Sequence, residues 1–115
     1  MADAQTPARY EVYVVALDPT QGAEIAKTRP CVIVSPDELN RYLRTVVIVP
    51  LTSRVRSYRY RPSTDFQGTD GQAALDQMRA VDKSRLRRRL GKLSAADCRR
   101  LNEALMAFFA DEAAA

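Results

Sequence analysis

The sequence predicts an α+β domain: a small, strongly bent antiparallel β-barrel with one short helix and one C-terminal helix. Three observations carry this reading. Short runs rich in β-branched residues, Glu11–Leu17, Cys31–Val34 and Thr45–Val49, alternate with tight polar connections. A helical apolar face with spacings of three and four runs through Cys98, Leu101, Leu105, Phe108 and Phe109. The length, 115 residues, suits one core, so 1–115 is expected to be a single domain with an ordered core at about 9–110.

In chain order, Glu11–Leu17 is a strand stopped by Asp18-Pro19, and Cys31–Val34 is a second strand, too short for a helix. Ser35-Pro36-Asp37-Glu38 supplies a capping serine, a proline at the first helical position and a glutamate at the third, which predicts a short helix to about Arg41. Thr45–Val49 is the strongest strand signal, and Pro50 is expected to end it by removing a ladder donor. Leu51–Ser57 reads as a loop. Tyr58–Arg61 alternates aromatic and basic residues with period two, which suits a strand. Ser63–Gly71 is turn material, and Gln72–Met78 and Arg79–Val81 read as further strand pieces. Leu86–Leu93 fits strand or loop. Ser94 caps the last helix, with Asp97 in its first turn where the helix dipole favours an acid. The ends, Met1 to about Ala8 and Asp111 to Ala115, are expected to fray.

Hydrophobic residues at 46% and charged residues at 28% exclude a disordered chain. No apolar run approaches the roughly 20 residues that cross a bilayer, and MADAQTPARY has neither a basic leader nor an apolar h-region. A cytoplasmic location without membrane association is expected. Cys31 and Cys98 have no CxxC partner and the chain has no histidine, so no metal and no cofactor is expected, and both cysteines should pack as reduced thiols. Without histidine, any acid–base chemistry must use other groups.

The net charge of +4 is concentrated. Six arginines and no acid fall between Arg41 and Arg61, and seven basic residues against the single Asp82 fall between Arg79 and Lys92. Such clustering suits a polyanion-binding surface, with two solvated faces as the alternative. Tyr58 and Tyr60 suit stacking on unpaired bases or ordinary packing.

Between the first two strands lies DPTQGAEIAKTRPC. Asp18-Pro19-Thr20-Gln21-Gly22 is a turn by composition. Glu24, Lys27 and Arg29 then arrive just before a buried strand, and Pro30 pushes Arg29 toward extended geometry. A guanidinium there offers a planar fork matched to phosphate, or it pairs with Glu24. Thr52, Ser53 and Arg54 follow another buried strand. If the two strands are neighbours, Thr52 and Ser53 approach Arg29; otherwise they are turn hydroxyls.

These pieces together resemble the MazF/PemK family of toxin endoribonucleases. VYVVALDPTQGAEIAKTRPCVIVSP, VIVPLTSRVR and GQAALDQMRAVDKSRL, then RLGKLS and the last helix, carry the resemblance from about Arg9 to Phe109. It implies a PemK-type, SH3-like barrel that forms a homodimer and cleaves single-stranded RNA at short sequences without a metal, held in check by a cognate antitoxin with an acidic segment. It also implies catalytic roles for Arg29 and Thr52, with Glu24 corresponding to the loop acid and the pair Asp76 and Gln77 near the RNA groove. Glu24 joins the catalytic set as a candidate acceptor of the 2′ proton, or is the counter-ion of Arg29. Thr20, Lys27, Ser53, Arg54 and Arg56 complete the expected substrate-binding set. One departure is visible: Tyr10 stands where the family usually has a glycine, which puts the start of the first strand in question. A non-catalytic module of the same barrel that grips nucleic acid or a protein is the alternative.

Overall fold

A computed structural model describes residues 6–112. Seven strands and two helices follow one another as β1 (Glu11–Ala16), β2 (Thr28–Ile33), α1 (Asp37–Tyr42), β3 (Thr45–Thr52), β4 (Ser63–Phe66), β5 (Thr69–Ala73), β6 (Arg79–Asp82), β7 (Leu86–Lys92) and α2 (Ala95–Phe108). Single 3-10 turns at Leu75–Gln77 and Lys83–Arg85 flank β6. The strands form one curled antiparallel sheet in the order β4-β5-β3-β2-β1-β7, with β6 also on β3. The α+β class and bent antiparallel sheet expected from the sequence are therefore the architecture, with the sheet curled into a half-barrel. No helix among the described residues is long and apolar enough to cross a membrane.

The central strands bury both faces, which is why their sequences are almost wholly apolar. Val12, Val32, Val49 and Leu51 pack on one side against Leu101 and Leu105 of α2. Tyr13, Val15, Cys31, Ile33, Val46 and Ile48 form a second cluster on the other side. Ser94 caps α2 as expected, accepting the Asp97 N–H at 3.1 Å. Asp97 does more than favour the dipole: it is buried, and its carboxylate accepts the Asp65 N–H at 2.9 Å, which ties α2 to β4. Phe109, placed on the apolar face by its spacing, is the C-cap and is largely exposed.

Several elements differ from the sequence reading. Pro50 does not end β3, because the strand runs to Thr52 and changes partner there: β6 pairs with Thr45–Ile48 and β5 with Leu51 and Thr52. The donor that proline lacks falls in the gap between those two partners, and its carbonyl accepts the Ala74 N–H at 2.9 Å. Ser35 is not the cap of α1. Its hydroxyl donates to Asn40 Oδ1 at 2.6 Å and accepts the Val47 N–H at 3.0 Å, leaving Pro36 at the cap position. Tyr58–Arg61 is irregular, and the supposed turn from 63 to 71 is instead the β4–β5 hairpin, whose turn is only Gln67-Gly68. Gln72–Met78 is strand only to Ala73 and then a 3-10 turn, whereas Leu86–Lys92 resolves as a strand.

Of the ends expected to fray, Met1–Gln5 and Ala113–Ala115 lie outside the described residues. Pro7 is buried and the Ala8 N–H donates to Glu11 at 2.6 Å, so the chain is anchored from Pro7 onward. Tyr10 takes a left-handed backbone, φ 73°, that a glycine would adopt without strain. Tertiary bonds impose it: its N–H donates to Ile33 O at 2.7 Å and its carbonyl accepts the Leu93 N–H at 3.0 Å. The ring packs on the α2-side core beneath the Arg9 guanidinium, so β1 starts normally despite the missing glycine.

Candidate active site

β2 and β3 are neighbours, in the register Cys31↔Pro50. Carried two residues further, that register sets Arg29, at the start of β2, opposite Thr52, at the end of β3. Pro30 holds Arg29 extended within β2, where it pairs with Val15 on the other side. Arg29 does not pair with Glu24. Its Nε donates to the Ala26 carbonyl at 3.2 Å, and the side chain is exposed. Glu24 accepts the Gln21 N–H at 2.5 Å, closing a turn in its own loop.

Both readings of Thr52 hold at once. Its Oγ1 accepts the Arg54 N–H at 3.0 Å, the bond of a turn hydroxyl. The hydroxyl proton is left to donate elsewhere, on the strand end facing Arg29.

The pair lies in a groove of about 620 Å³ that gathers Glu24, Arg29, Thr52, Ser53, Arg54, Arg56, Asp76 and Gln77. Thr20 and Lys27 are not on its lining. The Thr20 hydroxyl donates to the Asp18 carboxylate at 3.4 Å, and Lys27, at φ 66°, closes the loop base by donating its N–H to Asp18 at 3.0 Å. The groove also takes in Tyr58 and Arg61, which the sequence reading had put on opposite faces of a strand. Instead the Arg61 guanidinium stacks on the Tyr58 ring at 4.9 Å. The Tyr/Arg alternation that suits a strand period thus serves stacking instead.

The 3-10 turn Leu75–Gln77 organises the groove. Asp76 receives a bidentate ion pair from Arg61, with both contacts at 2.8 Å, and so holds the segment 53–62. The hydrogen bond from Arg61 holds the Asp76 carboxyl below its ordinary range and raises the guanidinium in turn. Gln77 accepts the Ile25 N–H at 3.0 Å and so holds the segment 18–27. Adjacent residues of one turn thus clamp the two walls. A second clamp went unnoticed in the sequence. The buried Gln72 amide accepts the Arg56 N–H at 3.0 Å and donates to the Arg56 carbonyl at 2.9 Å.

The basic segment 79–92 is largely engaged with its own chain. Arg79 reaches the Ile25 carbonyl, Lys83 that of Asn40, Arg85 those of Ala16 and Asp18, Arg87 that of Ser84, and Arg89 pairs with Glu11. In the groove, by contrast, the side chains of Arg54 and Arg56 have no protein partner among the described residues, which leaves their charge for a ligand. Cys31 is buried and its thiol is pushed up to about 12 by desolvation, so it is chemically quiet. Among the described residues no three His, Cys, Asp or Glu side chains gather as a metal-binding group.

The fold is a curled half-barrel whose strand ends bring an arginine and a hydroxyl to a cationic groove, an arrangement suited to a polyanion. Residues 8–109 match the model of the PemK-like, MazF-like toxins of type II toxin–antitoxin systems, and the chain belongs to that family. It is 31% identical over 103 residues to a Staphylococcus saprophyticus protein named Endoribonuclease MazF, across 84% of this chain and 86% of that one. The fold is similar to the crystal structure of MazF from Deinococcus radiodurans, with a TM-score of 0.78, 23% identity, and coverage of 90% and 96%. It is also similar to a mycobacterial endoribonuclease solved with its cognate antitoxin, with a TM-score of 0.74, 26% identity, and coverage of 88% and 92%.

Proposed function

We propose that this chain cuts single-stranded RNA at short sequences without a metal, as a homodimeric cytoplasmic toxin neutralised by an antitoxin whose acidic segment covers the groove. The chain is an endoribonuclease of the MazF kind. In the proposed step the RNA's own 2′-OH attacks the adjacent phosphorus: the 2′-O–P bond forms, the P–O5′ bond breaks, the 2′ proton leaves to a base and the departing 5′ oxygen gains one. The products are a 2′,3′-cyclic phosphate and a 5′-OH.

Arg29 stabilises the negative charge that builds on the phosphoryl oxygens, and the Thr52 hydroxyl donates to one of them. Glu24 is positioned as an acceptor for the 2′ proton, at the cost of its bond to Gln21. Ser53, Arg54 and Arg56 receive flanking phosphates, while Asp76 and Gln77 shape the groove. The observation that supports this reading is that Arg29 and Thr52, at the ends of the paired strands β2 and β3, line one groove.

Incubation of the purified chain with mixed single-stranded RNA in EDTA should yield cyclic-phosphate ends, and Arg29→Ala should slow cutting by about 10³-fold while RNA binding changes far less. RNA left intact by well-folded wild type across varied sequences would sink the enzyme reading in favour of a binding module.

A further inference from the structure

A second hollow, of about 300 Å³, lies on the hairpin side of the Arg29–Thr52 pair. It shares only Arg29, Leu51, Thr52 and Ser53 with the groove. Its size is at the lower end of the ~300–1,000 Å³ usual for small-ligand sites, and its character differs from that of the groove. Phe66, Leu90 and Pro30 give it apolar walls, and Asp70 is its single acid. Among the described residues the Asp70 carboxylate accepts no hydrogen bond and joins no ion pair.

The strands fix where that carboxylate sits relative to the pair. Thr52 pairs with Gln72, so Asp70 is its diagonal neighbour on the same sheet face, about 7–8 Å away in such a ladder. Between them, Gly71 lets β5 press against β3: a Cβ there would lie 2.4 Å from the Thr52 carbonyl oxygen. The hollow is thereby held one nucleoside's reach from the proposed phosphate position. An RNA backbone avoids a carboxylate, so what meets Asp70 is a base edge. Guanine presents two adjacent donors, N1–H and the N2 amino group, to a carboxylate. Adenine, cytosine and uracil each offer a single donor group with at least one adjacent acceptor, which a carboxylate repels.

We propose that this hollow is a base pocket for a guanine flanking the scissile phosphate, with Asp70 as the residue that selects it. The word scissile rests on the nuclease reading, whereas the pocket is testable without cutting. Sequencing the ends cut from a random RNA pool should show guanine enriched at one position beside the cut, and Asp70→Asn should reduce that preference roughly 10- to 100-fold while the pool is still cut. In parallel, titration with GMP, AMP, CMP and UMP should show GMP bound tightest, with the advantage lost in Asp70→Asn. Equal binding of the four nucleotides, or a guanine preference unchanged in Asp70→Asn, overturns the proposal. So does occupation by N-acetylarginine amide in preference to GMP, which would mark a protein side chain as the occupant. GMP selectivity in a protein that cuts no RNA would uphold the pocket and remove the nuclease.

Discussion

Segments 18–27 and 53–62 both line the groove, but they keep their shapes by different means. The first is stitched in part to itself, through Asp18 to Lys27 and Glu24 to Gln21, both exposed and close in sequence. From outside, Gln77 and Arg79 hold it at the Ile25 N–H and carbonyl, and Arg85 holds it at the Asp18 carbonyl. The second is fixed from outside, by Gln72 sixteen residues from Arg56 and by Asp76 fifteen residues from Arg61. Its clamps are a buried amide and a half-shielded ion pair, which resist water better than the loop's own bonds. The wall that carries the free cations should therefore be the firmer at Arg56, and the Gln21–Glu24 turn of the other wall, between the anchors at Asp18 and Ile25, the more mobile.

Gln72→Leu is the strongest way to break that difference. It strips the Arg56 N–H and carbonyl of their partners at about 2 kcal/mol, measured by denaturant unfolding. Amide exchange should quicken at Arg56 and not at residues 18–27; equal acceleration on both walls would show that they are not held separately. Asp76→Asn should cost about 1 kcal/mol or less, since the Asp76 side chain is 40% exposed and screened by solvent. The pH dependence sharpens this test. Because Arg61 lowers the folded-state value, the pair stabilises above the unfolded carboxyl's pKa of about 4. That contribution is lost as pH falls through the folded-state value. Unfolding curves of wild type and Asp76→Asn should differ at neutral pH and converge in acid.

The smallest effect on stability belongs to Glu24→Gln, under about 0.5 kcal/mol, because an amide oxygen still accepts the Gln21 N–H. Its cutting rate decides the role of the residue. A fall of about 10²-fold or more marks Glu24 as the proton acceptor, and an unchanged rate leaves it a loop staple.

What was legible in the sequence was what depends on near neighbours. Pro30 set Arg29 in a strand, Ser94 capped α2, and the apolar runs marked β1, β2 and β3. Ser35 misled because its hydroxyl bonds the Asn40 side chain inside α1 and the Val47 N–H of β3, and together these outcompete the cap. Tyr58–Arg61 misled because stacking of Arg on Tyr satisfies the same alternation without a ladder. Thr64, Phe66 and Asp70 read as turn material because polar and glycine-rich hairpins look like loops until their partner strand is known.

The sequence by itself determined the α+β class, the clustering of charge, the arginine before the buried strand and the resemblance that named the family, since each rests on residue type and short spacing. Only the tertiary structure decided that Arg29 and Thr52 share one groove while Glu24 bonds Gln21, that Asp76 and Gln77 each clamp one wall, and that Gly71 brings Asp70 beside the pair. Those outcomes are set by the register between strands distant in the chain, and register is chosen by burying both faces of the sheet at once.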